Sequence, residues 1–260
     1  MNEQFVVLSL GNCRIQSPLP LSTSSQEDNF RFVEDSQRIL YQATFNDLNQ
    51  HELFGGDSPI SFEAAGPRAM TFFDPSKVRA GIVTCGGLCP GINNVIRALV
   101  MQMYHNYGVR RIYGFRYGFQ GFIPKYRHDI MELTPDSIVN IHHQGGSILS
   151  SSRGPQDIGE IVDCLDRHTI KILFCIGGDG TLRGAHAIAQ EVKARDLKIA
   201  VIGVPKTIDN DISYCSKTFG FETAFSKAVE AVQSAHVEAY GTHYGVVAVS
   251  YTHLTLPTKA

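Results

Sequence analysis

The feature that most restricts the fold of this sequence is an alternation of short aliphatic runs with segments of helical periodicity. The runs are six or seven residues long and lie at positions 79–84, 110–115, 170–176, 198–204 and 244–249. Aliphatic runs of this length predict strands buried on both faces, and their alternation with helices predicts an α/β fold with a parallel sheet covered by helices on both faces. Such sheets bind ligands beyond the carboxyl ends of their strands.

Two segments between or after these runs have the spacing of an amphipathic helix. In each segment, apolar residues recur three and four positions apart, which places them on one stripe of a helix. The first stripe consists of Ile92, Val95, Ile96, Leu99, Val100 and Met103. The second consists of Phe221, Phe225, Ala228, Val229, Val232 and Ala235. We therefore expect a helix after the first strand and another before the last.

Charge and cysteine content exclude several classes of protein. The net charge is -2, so nothing suggests a nucleic-acid partner or a basic membrane-binding patch. No apolar run approaches the roughly 20 residues that span a bilayer. The six cysteines do not have the spacing of a zinc site, and they are interpreted as reduced thiols of a cytoplasmic protein.

Residues 1–78 lack the alternation of strand and helix patterns that the rest of the chain shows. Prolines, glycines and serines interrupt any long element, although residues 29–50 could hold a helix. We interpret this stretch as an N-terminal extension that wraps on the core.

The first candidate site is the glycine-rich turn at residues 84–91, TCGGLCPG, between the first strand and the first helix. Glycines let backbone N–H groups approach an anion, and a helix N-terminus adds a partial positive charge. Taken alone, the pattern is equally compatible with a tight turn that binds no ligand.

The second candidate site is the sequence GGDGT at residues 177–181, which also follows an aliphatic run and precedes a helical segment. Its glycines leave room for a polyphosphate, and the carboxylate of Asp179 can hold Mg²⁺. Alternatively, Asp179 caps the following helix. Several kinase groups, including NAD kinases and lipid kinases, share GGDGT, so it indicates nucleotide phosphate binding without naming the acceptor. A Walker-type loop is absent from the sequence.

The third candidate site, PKTIDND at residues 205–211, follows the fourth aliphatic run. Two carboxylates beside a hydroxyl and a lysine can deprotonate a sugar hydroxyl and place a metal and a phosphate nearby. Phosphoryl transfer needs mainly positioning, charge neutralisation and one proton acceptor. The alternative is an Asn/Asp-rich turn without catalytic function. The presence of GGDGT one helix and one strand earlier in the sequence favours the catalytic interpretation.

In this order, the motifs resemble the 6-phosphofructokinase family over residues 77–249. The sequence contains GIVTCGGLCPGINNVIRALV, YGFRYGFQGF, QGGSILSSSRGPQD, IGGDGTLRGA, GVPKTIDNDI and TFGFETA. The amino-acid sequences of these motifs are most similar to those of the plant- and trypanosome-type branch of ATP-dependent enzymes. The resemblance implies phosphorylation of fructose 6-phosphate by Mg·ATP in glycolysis, and a full-length form that is a homo-oligomer, a dimer or a tetramer.

The resemblance also implies roles for individual residues. Thr207, Asp209 and Asp211 would bind the substrate by surrounding the C1 hydroxyl of fructose 6-phosphate. Asp209 would accept the proton of that hydroxyl, and Asp179 would hold Mg²⁺. The residues implied to contact the nucleotide phosphates are Gly86, Arg153, Gly154, Gly178, Asp179, Gly180 and Thr181. Relatives usually have glycine at position 150, so Ser150 is expected to strain the turn before Arg153.

Two residues bear on the identity of the phosphoryl donor, and they favour different donors. Pyrophosphate-using relatives typically carry an aspartate at position 180, where Gly180 leaves space for the α-phosphate of ATP. Lys206 is typical of the pyrophosphate enzymes, although the plant-like ATP branch pairs it with this glycine. We expect ATP, with a pyrophosphate-dependent phosphofructokinase or a non-catalytic nucleotide-binding module as the alternatives.

The resemblance stops at Val249. The family pattern continues with a Met-Gly-Arg motif and a second half, whereas residues 250–260 match nothing in the family. We therefore expect an N-terminal extension at 1–78, an ATP-binding and catalytic domain at 79–249, a non-native tail at 250–260 and a second domain that is mostly missing.

Overall fold

The computed structural model of the 260-residue chain describes residues 7–21, 31–41 and 60–242. Its N-terminal part contains four short strands in two antiparallel pairs, β1 with β4 and β2 with β3. The bounds are Ile15–Gln16 (β1), Arg38–Leu40 (β2), Ser61–Glu63 (β3) and Met70–Thr71 (β4).

The helix suggested for residues 29–50 is wrong over the part that the structure describes. Residues 31–41 form a turn and strand β2, while residues 42–50 lie outside the described ranges. The cause is non-local: Arg38 donates to the Ser61 hydroxyl at 2.9 Å, and the Tyr41 amide donates to the Ile60 carbonyl at 2.9 Å. These bonds to a distant segment hold the backbone extended.

A five-stranded sheet forms the centre of the chain. Its strands lie in the order β7-β6-β5-β8-β9, and β6, β5, β8 and β9 are mutually parallel. The edge strand β7 pairs antiparallel with β6 and was not predicted. The bounds are Arg79–Thr84 (β5), Arg111–Phe115 (β6), Ile130–Glu132 (β7), Ile172–Gly177 (β8) and Ala200–Pro205 (β9). Four predicted strands are confirmed within two residues; the fifth, at 244–249, lies outside the described residues, as does the segment 250–260.

Four α-helices accompany the sheet in the described residues. They are Ile92–Met101 (α1), Ile158–Arg167 (α2), Asp179–Ala194 (α3) and Phe221–Thr242 (α4). Helix α2 begins with an N-cap, because the Asp157 carboxylate accepts a hydrogen bond of 2.9 Å from the Glu160 amide. A π-helical turn at Gln102–Asn106 extends α1.

Helices pack on both faces of the sheet, as predicted. On one face, Ile92, Ile96 and Val100 of α1 are buried against the sheet, so the first apolar stripe is confirmed. On the other face, α2 and α3 bury residues such as Leu165 and Ile188 in a second apolar cluster. The chain therefore has the predicted α/β architecture, with a mixed rather than an all-parallel sheet.

The second predicted stripe forms a helix, but its apolar side chains are not buried. Phe225, Val229 and Val232 of α4 are each about half exposed, and no described side chain of α4 is buried. Among the helices of the described ranges, none combines the length and apolarity that a bilayer crossing needs.

Candidate functional site

The three candidate turns lie side by side at one edge of the sheet. Each turn follows the carboxyl end of one of three adjacent strands, β5, β8 and β9. In the strand register, Thr84 lies opposite Ile176, and Gly177 lies opposite Pro205. Parallel pairing therefore brings together motifs that are far apart in the sequence.

The first turn is hydrogen-bonded to the loop that carries Arg153. The Gly86 amide donates to the Ser152 carbonyl at 3.0 Å, and the Ser151 hydroxyl donates to the Gly86 carbonyl at 2.6 Å. Gly86 has a φ of 82°, in the left-handed region that favours glycine. The two loops therefore form one unit, with the exposed Arg153 beside Gly87.

The expected strain at Ser150 is confirmed. Its φ is 57°, a left-handed conformation that costs a residue with a Cβ about 1–2 kcal/mol. The Thr84 hydroxyl donates to the Ser150 carbonyl at 2.6 Å, and this bond helps to hold the turn. Ser150 therefore keeps the conformation that glycine would adopt more easily.

The second turn is the start of helix α3. Gly178, and not Asp179, is the N-cap residue, so the alternative of Asp179 as a helix cap is wrong. The Asp179 carboxylate instead pairs with Arg183, one helical turn later, with 2.7 Å between Oδ2 and Nη2. Thr181 is buried, and a Cβ on Gly177 would lie 2.2 Å from its hydroxyl. Glycine at position 177 is thus required for packing.

The third turn presents its carboxylates through an internal hydrogen bond. The Thr207 hydroxyl donates to Oδ1 of Asp211 at 2.7 Å and accepts from the Asp209 amide at 3.1 Å. Thr207 is buried, Asp209 is partly buried and Asp211 is exposed. One buried hydroxyl therefore organises both carboxylate residues.

Lys206 joins the third turn to the first. Its side chain is 4% exposed, and its ammonium donates to the Gly87 carbonyl. Burial lowers the pKa of Lys206, because a charged ammonium loses hydration there, while the nearby thiols of Cys89 and Cys85 act in the opposite direction. The lysine is thus a buried cation between two candidate phosphate-binding turns.

A single open pocket of about 890 Å³ lies between the turns. Its lining includes nine of the ten predicted site residues: Gly86, Arg153, Gly154, Gly178, Gly180, Thr181, Thr207, Asp209 and Asp211. Asp179 is the tenth and does not line the pocket, although its ion-pair partner Arg183 does. A second pocket, of about 580 Å³, lies at residues 31–37 and 68–70, and no residue of the three turns lines it.

Sequence reasoning missed Arg183 as a pocket residue. Arg183 lies four positions after Asp179, the spacing that places two side chains on the same face of a helix, and this signal could have identified it. The described residues contain no cluster of three or more His, Cys, Asp or Glu side chains that could bind a metal by themselves. A single exposed carboxylate such as Asp179 fits Mg²⁺ that arrives with phosphate oxygens and water as its other ligands.

The fold and the pocket define a class: α/β proteins that bind phosphorylated ligands with glycine-rich turns at the carboxyl ends of parallel strands. The particular family follows from comparison with known sequences. A family profile described as Phosphofructokinase matches residues 79–249. The chain belongs to the phosphofructokinase family, as the sequence motifs indicated.

Individual relatives agree with this assignment. The chain is 47% identical to the ATP-dependent 6-phosphofructokinase of Amycolatopsis methanolica, with 91% of the chain and 51% of the relative covered. It is 45% identical to the enzyme of the same name from Trypanosoma cruzi, covering 87% and 51%. Among solved structures, the pyrophosphate-dependent phosphofructokinase of Marinobacter aquaeolei matches with a TM-score of 0.55 and 22% identity, covering 63% of this chain and 42% of that one. The chain thus spans about half the length of these curated relatives.

Proposed function

We propose that the full-length protein transfers the γ-phosphoryl group of ATP to the C1 hydroxyl of fructose 6-phosphate and so forms fructose 1,6-bisphosphate. The observation that carries this proposal is the shared pocket, which is lined by both glycine-rich turns and by Asp209 and Asp211. A phosphate-binding side and a proton-accepting side thus face one space. The names of the relatives support ATP as the donor.

On the donor side, the turns at Gly86 and Gly178–Thr181 would bind the nucleotide phosphates through backbone N–H groups other than those of Gly86 and Thr181, which donate to the Ser152 and Gly178 carbonyls. Arg153 would bind the transferred group, because a guanidinium can donate two parallel hydrogen bonds to phosphate oxygens. Mg²⁺, when bound through Asp179, would neutralise phosphate charge. On the acceptor side, Asp209 would take the proton of the sugar hydroxyl, with Thr207 and Asp211 holding the turn.

The test of this mechanism is Asp209→Asn in the full-length enzyme. The amide keeps the shape of the side chain but cannot accept the proton, so kcat should fall by about 10² to 10⁴-fold. Mg·ATP affinity, measured by calorimetry, should change little. Asp166→Asn, on the exposed side of α2, is the control and should retain full turnover. Near-native turnover of Asp209→Asn would contradict the assignment of the base.

Pyrophosphate remains the second candidate donor because of Lys206. Its buried ammonium lies against the first turn, where it could add positive charge to a phosphate site. Gly180 favours ATP, since a Cβ at this position would contact nothing within 4 Å and space remains on that side of the pocket. Steady-state assays of the full-length enzyme with each donor decide between them, and a clear preference for pyrophosphate would overturn the proposal.

Both carboxylate residues of the third turn are present, which argues against a non-catalytic nucleotide-binding module. A cytoplasmic location, an oligomeric full-length form and the division at residues 78 and 249 stay predictions from the sequence.

A further inference from the structure

The loop that follows the third turn is held by an asparagine. The Asn210 side-chain oxygen accepts from the Thr218 amide at 2.9 Å, and its NH₂ group donates to the Ser216 carbonyl at 3.2 Å. The Thr218 hydroxyl in turn donates to the Thr207 carbonyl at 3.0 Å. Residues 207–218 therefore form one hydrogen-bonded unit that includes Asp209 and Asp211.

Tyr214 lies at the outer end of this unit. Its φ is 63°, and its side chain is half exposed to solvent. The pocket is not lined by Tyr214, so this ring does not contact a ligand bound between the three turns. Residues 207–218 connect this ring to the two carboxylates of the pocket.

Two aromatic rings of the N-terminal extension contact Tyr214. The ring centroid of Tyr41 lies 5.3 Å from that of Tyr214, and the ring of Phe62 lies 6.1 Å from it. Tyr41 and Phe62 also contact each other, with centroids 6.0 Å apart. All three pairs have the edge-to-face arrangement that aromatic rings prefer. We call Tyr41, Phe62 and Tyr214 the aromatic cluster.

The β2–β3 pair fixes the two N-terminal rings relative to each other. Phe62 lies opposite Ile39 in the register, and the Tyr41 amide donates to the Ile60 carbonyl at 2.9 Å. The two rings therefore present a preformed surface to the loop. A contact of this kind stabilises one position of the loop over others, because alternative positions lose both aromatic partners.

We propose that the aromatic cluster makes the N-terminal extension a positioning element for the acceptor turn, with Tyr214 as its positioning residue. This inference rests on the proposed function, in which Asp209 and Asp211 face the sugar. The cluster selects the loop position in which these carboxylates line the pocket. The donor turns at Gly86 and Gly178 follow other strands and lie outside residues 207–218, so we expect the larger effect at the acceptor.

The experiment uses the full-length protein and three variants: Tyr214→Ala, Tyr214→Phe and Phe62→Ala. Loss of the aromatic contacts should raise the amide exchange rate of Thr218 by about tenfold and the KM for fructose 6-phosphate by a similar factor. kcat should fall, whereas the Kd for Mg·ATP should stay within twofold. Tyr214→Phe keeps the ring and its contacts with Tyr41 and Phe62, so it should lie closer to native values than Tyr214→Ala. Leu40→Ala is the matched control, because Leu40 is an exposed residue of β2 and lies on the opposite face of the strand pair from Ile39 and Phe62.

The double variant Phe62→Ala/Tyr214→Ala should be no worse than Tyr214→Ala alone, since Tyr214→Ala already removes the contacts of the loop with Tyr41 and Phe62. Phe62→Ala alone leaves the Tyr41–Tyr214 contact and should have a smaller effect. If Tyr214→Ala does not fold, Phe62→Leu gives the same comparison without the ring. The proposal is overturned if the variants match Leu40→Ala, or if KM and the Kd for Mg·ATP rise together. A wild-type protein without ATP-dependent turnover would instead refute the proposed function, and the exchange rates would still test the contact.

Discussion

Gly180→Asp tests the assignment of ATP, rather than pyrophosphate, as the phosphoryl donor. Gly180 is the second residue of α3 and lines the pocket, and a Cβ built on it meets no atom within 4 Å. The new side chain should therefore fit the ligand-free protein. Replacing glycine in a helix and adding a carboxylate to its first turn should together stabilise the fold by about 0.5–1 kcal/mol.

The same carboxylate should oppose binding of ATP. If the α-phosphate passes beside residue 180, two negative charges lie about 4–5 Å apart, which costs about 3–4 kcal/mol at an effective dielectric constant of about 20. This energy corresponds to roughly a 10²- to 10³-fold weaker affinity for Mg·ATP. Pyrophosphate, which has no α-phosphate to place there, should be affected less.

Two measurements on the same samples separate the effect on stability from the effect on affinity. Thermal unfolding measures the change in stability, and calorimetric titration measures the change in affinity for Mg·ATP. Gly180→Asn has nearly the same shape without the charge, and it should lose far less affinity than Gly180→Asp. An unchanged Tm together with an ATP affinity within threefold of wild type would refute the reasoning, because the α-phosphate would then not pass residue 180. Equal losses in both variants would show that bulk, not charge, excludes ATP.

Three further predictions concern other groups. Asp179→Ala should weaken Mg·ATP binding in calorimetry. The fold should stay intact, since the Asp179 carboxylate is exposed and pairs with Arg183 across one helical turn. Unchanged affinity for Mg·ATP would contradict the role of Asp179 in holding Mg²⁺. Burial raises the pKa of the Cys85 thiol to about 12, so at pH 8 a thiol reagent should modify the exposed Cys13 quickly and Cys85 only after unfolding; equally fast labelling would contradict this. Burial and two neighbouring arginines lower the pKa of His168. The folded state therefore binds this proton less readily than the unfolded state, and stability should fall as the pH drops below about 6.5. Urea unfolding at several pH values should show a smaller fall in His168→Gln, and an equal fall in both proteins would contradict the prediction.

Local sequence patterns were sufficient to predict an element where its buried residues recur at a regular spacing. The stripe that includes Ile96 and Val100 predicted α1 and its buried face, because 3.6-residue periodicity is a property of the segment itself. The same spacing predicted helix α4 but not its exposed apolar side chains, since burial also depends on what packs against the stripe. Strand β7, only three residues long, carries too weak a pattern to be recognised.

At the site, local patterns identified the three turns, and the family resemblance that these motifs carry in their order assigned nine of the residues that line the pocket. It could not show that Lys206 donates to Gly87, that Asp179 pairs with Arg183, or that residues 31–41 form a strand. Lys206 and Gly87 lie on different strand-end turns, and only the order of strands in the sheet brings them together.

The sequence by itself thus determined the class of fold, the family and the positions of the three turns along the chain, since each of these depends on short contiguous segments. The tertiary structure decided which side chains meet: the mixed sheet, the buried lysine between two turns, and the contact of Tyr41 and Phe62 with Tyr214. The physical reason is that these contacts join segments far apart in the chain. Their free energy depends on the positions of both partners, and a local pattern contains only one of them.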